Sequence, residues 1–310
     1  MTKPAIELTG NDLTVEDFCA VVFARCPVKL APSARQAVER SRATIERLLA
    51  SDAVIYGVTT GFGDLAGTKI PRHQIRQLQV NLLRSHAAGV GELLSPAETR
   101  ATILLRANVL AKGYSGVRPV VIETLCELLN RGVHPVIPAR GSVGASGDLA
   151  PLAHLALVLI GEGEAFYKET RLPGTAALDR AGIKPLELEA KEGVALINGS
   201  QASLAVGLLT LLEAENLADT ADVAASLSLD ALRGTPVAFD PRLHQLRPFP
   251  GQVLSARNLA RLNAASEIRE SHRACARVHD AYSLRCIPQV HGAVRDALAY
   301  ARRSLEIELN

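Results

Sequence analysis

The sequence predicts a mainly α protein: a bundle of long helices with a smaller mixed region towards the N-terminus. Three observations lead there. Several long windows carry apolar residues at helical spacing with charges between them. Strand signals are few and do not alternate with helices, which argues against a doubly wound sheet. The apolar content is aliphatic: 48% of residues are hydrophobic, yet there are only six Phe, five Tyr and no Trp. A core of Leu, Ala, Val and Ile suits helix-on-helix packing.

In chain order, residues 33–50, 72–88 and 95–112 read as amphipathic helices. The third opens with Ser95 as N-cap, Pro96 in the first turn and Glu98 where the dipole favours an acid. Residues 117–131 end at Arg131-Gly132, and residues 148–161 form an apolar helix ending at Gly161. Ala53–Val58 is a short β-branched run, and Glu164–Leu172 before Pro173-Gly174 reads as a hairpin. The segment 195–232 is apolar on most sides, so it is expected to be buried, bent or split. Residues 252–278 and 289–309 complete the helices. A loop-rich stretch near residue 190 suggests an N-terminal domain over 1–190 and a helical-bundle segment over 191–310.

Composition narrows the function classes. The net charge is +2 with no basic run, so neither nucleic acid nor an anionic membrane is expected as a partner. The apolar stretches Leu149–Ile160 and Ala202–Leu212 are interrupted by His154 and Thr210 and fall short of the roughly 20 residues of a membrane span. Five scattered cysteines without a C-x-x-C pair, and no signal-like N-terminus, fit reduced thiols and a cytoplasmic location. No H-E-x-x-H and no Cys/His cluster occurs, so no metal is expected.

The densest anomaly is PARGSVGASGDLAP at 138–151, three glycines within seven residues just before an apolar helix. A phosphate loop would need a Gly-Lys-Ser/Thr ending, and there is no Lys. A nucleophile elbow around Ser146 fails because Asp148 stands where the second Gly is required. A tight turn using positive φ remains open.

Gly141 to His154, GSVGASGDLAPLAH, resembles the signature of the aromatic amino acid ammonia-lyases, most closely the histidine-specific branch. The resemblance implies that Ala145-Ser146-Gly147 cyclises on itself. The Gly147 nitrogen attacks the Ala145 carbonyl and two waters leave, giving the electrophile methylidene-imidazolone (MIO) with no external cofactor. The residue types suit that chemistry: Gly147 has no side chain to obstruct closure, Ser146 has a β-hydroxyl to eliminate, and Ala145 is small.

Four further segments resemble the same family in the same order. Tyr56-Gly57-Val58-Thr59-Thr60-Gly61-Phe62-Gly63 implies Tyr56 as catalytic base and Gly63 as a backbone contact near substrate. A phenol with an ordinary pKa near 10 would need that value lowered to serve as a base at neutral pH. Ser85-His86 is similar to the histidine-specific members and implies that His86 contacts the substrate ring. Asn198-Gly199 implies Asn198 beside the MIO and the substrate amine; a plain helix N-cap at Asn198 or Ser200 is the alternative reading. His279-Asp280-Ala281-Tyr282-Ser283-Leu284-Arg285-Cys286 implies Tyr282 as a second active-site tyrosine and Arg285 as the grip on the substrate carboxylate. His279 stands where the family usually has Gln, which places a titratable group in the substrate-binding set.

The resemblance implies an ammonia-lyase / fumarase-like bundle architecture with the MIO loop in the mixed region. It implies deamination of L-histidine to urocanate and ammonia, and a homotetramer with shared active sites. Tyrosine or phenylalanine as substrate, in a lyase or aminomutase reaction, is the alternative. A helical scaffold with an uncyclised tripeptide is the non-enzymatic one. The fumarase group itself is set aside because its Met-Pro signature is missing: Met1 is the only Met. Family members extend past the point matching Asn310, so a longer enzyme is expected, with the isolated chain inactive if the remainder is required.

Overall fold

A computed structural model describes residues 4–51, 54–55, 57–61, 67 and 70–310. They form two compact units, Met1–Val206 with Glu306–Asn310, and Gly207–Leu305. The expected boundary near 190 falls inside the first unit.

The first unit begins with strand β1 (Ile6–Leu8), helix α1 (Val15–Val22), β2 (Val28–Leu30) and α2 (Pro32–Ala50). It continues through α3 (Ile75–His86), β3 (Val90–Leu93), α4 (Pro96–Ala111) and α5 (Pro119–Arg131). Then come β4 (Val133–Pro135), β5 (Pro138–Arg140), α6 (Leu149–Leu159), β6 (Glu164–Tyr167), β7 (Thr170–Pro173), α7 (Gly174–Ala181) and α8 (Glu192–Ile197). Helix α9 (Gln201–Ala231) starts within this unit. Strands β1 and β2 pair in parallel, β3 pairs with β5, and β4-β6-β7 form an antiparallel sheet.

Local chemistry accounts for many of these bounds. Ser95 accepts from the Glu98 amide while the Glu98 carboxylate takes the Ser95 amide, a full capping box for α4. Gly132 closes α5 in the left-handed region at φ 71°, where an L side chain would be strained. The 164–172 hairpin forms as expected and turns at Lys168-Glu169. Two expectations change. Ile55, Val58 and the turn Gly57–Thr59 include no strand among the described residues, because Thr59 folds the chain back by accepting the Ile55 amide at 2.8 Å. Five strands of three or four residues go unpredicted, since pieces that short show no period.

The core centres on α4, buried along nearly its whole length between α1, α2 and α5. Helix α6 is apolar all round and packs against α3, α7 and α8. Two arginines, Arg100 and Arg106, are buried on α4. The end of the chain belongs to this unit too: Asn310 Oδ1 accepts the Leu13 amide at 2.9 Å, and Asn108 Nδ2 donates to the Leu309 carbonyl at 3.0 Å.

The second unit holds the rest of α9, then α10 (Pro241–Gln245), α11 (Pro250–Leu262), α12 (Glu267–Ser271), α13 (Tyr282–Arg285) and most of α14 (Ile287–Leu309). Its small core is Leu229, Phe239, Leu259 and Ile287. A buried carboxylate, Asp222, accepts from Ser255, Asn258, His291 and Arg295 at 2.7–3.0 Å and ties three helices together. The predicted helix over 252–278 breaks. Asn263 turns its side-chain amide onto the Leu259 carbonyl at 2.8 Å, and Ser266 caps a new short helix by accepting the Arg269 amide. Residues 272–281 are not helical. The run Glu192–Ala231 is apolar enough over its length to pass as a membrane span, beyond what the Ala202–Leu212 stretch suggests, but 56% of its most apolar window is buried inside the fold.

Candidate active site

The first unit brings three of the predicted segments together. The Gly141–Asp148 loop links β5 to α6, with its tip, Val143 to Ser146, exposed. Its base is pinned. Asp148 is 1% exposed and makes no capping bond to its own helix. Instead its carboxylate accepts the Ser142 hydroxyl, the Ser203 hydroxyl and the Ser203 amide, each at 2.7 Å. A buried carboxylate satisfied by three donors is a strong anchor.

The interruption of the helix between α8 and α9 supplies the opposite wall. Asn198 leaves the helix at φ −91°, ψ 98°, and is the C-cap of α8, so the N-cap reading of Asn198 does not hold. The Asp148 N–H donates to the Gly199 carbonyl at 2.6 Å. Gly147 sits at φ 89°, and a Cβ there would lie 2.8 Å from the Gly199 carbonyl carbon and 3.0 Å from its nitrogen. Only glycine fits that place, both by conformation and by space. The loop thus combines an exposed Ala145 and Ser146 with a Gly147 whose backbone is pressed against Gly199.

The end of α3 forms the third part. Gly89 lies against Gly141, and its N–H donates to His154 Nε2 at 3.1 Å. Burial pulls the His154 pKa down, which keeps that nitrogen an acceptor. His86 is half-buried, with Nδ1 2.9 Å from the Leu82 carbonyl. A carbonyl can only accept, so Nδ1 carries the proton and Nε2 is the nitrogen open to a ligand. Tyr56 and Gly63 lie outside the described residues.

The second unit holds the remaining candidates. His279, Tyr282 and Arg285 line a cleft of about 420 Å³ with Thr235, Ala238 and His244. The Arg285 guanidinium stacks on the Tyr282 ring at 4.5 Å, and the His279 ring lies 6.4 Å from the same ring. The Arg285 Nε is buried with no partner among the described residues. The adjacent Asp280 is 4% exposed; it accepts the Thr235 amide at 2.7 Å and the Arg277 guanidinium at 3.0 Å.

No motif singles out Arg106, although it is buried and its guanidinium donates to the Ala195 and Asn198 carbonyls and to Gln201 Oε1. The available signal is a lone Arg in the largely aliphatic run Ala101–Ala111.

The family described as aromatic amino acid lyase matches residues 13–310. The histidine ammonia-lyase of Koribacter versatilis is 61% identical over 99% of this chain and 59% of its own length. That of Gloeobacter violaceus is 56% identical over 98% of this chain and 59% of its own. The crystal structure of histidine ammonia-lyase from Trypanosoma cruzi superposes with a TM-score of 0.87 at 37% identity, over 99% of this chain and 57% of that one. The chain thus spans about three-fifths of the length of these relatives. It belongs to the aromatic amino acid lyase family.

Proposed function

We propose that this chain carries the electrophile-forming part of an ammonia-lyase acting on L-histidine, with urocanate and ammonia as products. The observation that carries the reading is the Ala145–Gly147 loop, held by Asp148 against Gly199 at a position where only glycine fits. Histidine as substrate draws support from the 61% and 56% identical relatives named for that reaction. When formed, the ring supplies an electrophile to a protein that otherwise lacks one, making the substrate amine a better leaving group.

The chain's own residues have definite tasks in this reading. Arg285 holds the substrate carboxylate with the planar fork of its guanidinium, which stacks on the Tyr282 ring. His86 offers Nε2 to the imidazole N–H of the substrate. Tyr56 takes the proton from the β-carbon as the C–N bond to the α-carbon breaks, so the electron pair of the C–H bond becomes the double bond of urocanate. Asn198 and Tyr282 orient the amine and the ring, and Gly63 and His279 complete the substrate contacts. The homotetramer is part of the same proposal. Leu217, Leu227, Val290 and Tyr300 on the long helices of the second unit are each more than 60% exposed, which suits helices that meet further copies.

Intact mass tests the reading directly: the denatured chain is expected to be lighter than its sequence by two waters, and the Ser146→Ala chain is not. Urocanate absorbance from L-histidine, against L-tyrosine and L-phenylalanine, tests the substrate. A full-mass wild-type chain refutes the mechanism.

A further inference from the structure

We infer that Arg106 is a positioning residue for closure of the Ala145–Gly147 ring, acting through the Asn198–Gln201 turn; this rests on the function proposed above. Arg106 lies on α4 and is 3% exposed. Its guanidinium donates to three neutral acceptors in or beside one turn: the Ala195 carbonyl before it, the Asn198 carbonyl at 3.3 Å at its start, and Gln201 Oε1 at its end. Among the described residues its guanidinium bonds no carboxylate, and its Nε is buried with no partner there. Burial pulls its pKa down to about 10, so it stays charged at neutral pH. A cation buried against neutral oxygens alone costs stability, and an apolar residue would serve a purely structural need better.

What this arrangement achieves lies at Gly199. A Cβ on Gly199 would collide with Arg106 on one side, as a Cβ on Gly147 would collide with Gly199 on the other. Gly199 is therefore crowded by the Arg106 guanidinium and the Gln201 amide, and its own carbonyl crowds Gly147. The planar fork fixes both ends of the turn at once. The turn is then a rigid wall, and its carbonyl holds the Asp148 amide at 2.6 Å, one residue past the closing nitrogen. Closure needs the Gly147 nitrogen driven onto the Ala145 carbonyl carbon. A wall free to retreat by an ångström forfeits the gain from that approach.

Helix α4 supplies its own control. Arg100 is equally buried, its pKa is likewise lowered to about 10 by burial, and it binds the Val21, Val22 and Leu129 carbonyls, far from the loop in sequence and in contacts. Full-length wild type, Arg106→Met, Arg106→Lys and Arg100→Met are compared by the fraction of chains lighter by two waters and by thermal melting. The expected result is near-complete closure in wild type and Arg100→Met, at least a tenfold lower closed fraction in Arg106→Met, and partial closure in Arg106→Lys, which keeps a charge and donors but not the fork. Closure in Arg106→Met equal to wild type overturns the inference. Equal loss in Arg100→Met and Arg106→Met also overturns it, because general destabilisation then suffices. If Arg106→Met does not fold, wild-type closure in a folded Arg106→Lys chain overturns it. A wild-type chain that itself keeps both waters refutes the proposed function first, so the two failures read differently.

Discussion

Two stretches carry the site candidates, and they are held in opposite ways. The Gly141–Asp148 loop of the first unit is exposed at its tip but fastened from inside. Asp148 is fully buried, Gly147 abuts Gly199, and Arg106 backs the wall. The stretch 272–286 of the second unit has a single buried fastening, Asp280, and leaves Val278 95% and Tyr282 73% exposed. The difference follows from the chemistry proposed for each. Backbone closure needs atoms pressed together by their own chain. Side chains that bind a substrate need only to be presented, and their surroundings can come from elsewhere.

The largest expected effect breaks the first arrangement. Gly147→Ala forces a left-handed φ onto a side chain and drives its Cβ into Gly199. We expect no chain lighter by two waters in the mass spectrum, and a stability loss of about 2–4 kcal/mol by denaturant melts. Gly144→Ala sharpens the point: it shares a positive φ of 69° but meets nothing within 4 Å, so it should lose only about 1 kcal/mol and still close.

In the second unit the order reverses, with chemistry affected more than stability. Arg285→Met is expected to lower kcat/KM for L-histidine by about a hundredfold, the scale of a lost charge-assisted contact to a carboxylate. Wild-type mass is retained, which places the loss after closure. Asp280→Ala removes the one inner fastening of this stretch and should lower stability by about 2 kcal/mol. Hydrogen exchange is expected to rise around Thr235 and Arg277 and to stay unchanged at Asp148.

The remaining effect is an acid one and separates the units by pH. Burial, with help from Arg100 and Arg25, lowers the His134 pKa to about 4 from its usual 6.5. The folded protein resists a proton that the unfolded chain accepts. This contribution is complete above pH 6.5 and is lost as pH falls towards 4, on the order of 2 kcal/mol. His134→Gln should flatten that slope. In the second unit, hydrogen bonds led by His291 outweigh burial and hold the Asp222 pKa below its usual 3.8, so its contribution is lost only in stronger acid. Region-resolved exchange between pH 7 and 4 is therefore expected to loosen the first unit before the second.

Legibility in the sequence tracks the range of the forces. Helix α4 announces itself because Ser95, Pro96 and Glu98 act within one turn, and α5 ends at Gly132 for an equally local reason. The helix over 252–278 fails because propensity cannot see Asn263 and Ser266 redirecting the backbone. The short strands are missed because each exists only through its partner, as Val90 does opposite Arg140. Of the proposed site, the motifs point to Ala145–Gly147, Asn198, Tyr282 and Arg285, whereas Arg106 is visible only where α4 meets the turn.

The amino-acid sequence by itself determined the mainly helical class and the family and named the candidate residues, since these depend on composition, local pattern and side-chain chemistry. Only the tertiary structure decided that Gly147 faces Gly199, that Asp148 serves Ser203 rather than its own helix, and that a cation on α4 stands behind the turn. Those relations join residues 50 to 95 positions apart, and nothing but packing brings such residues into contact.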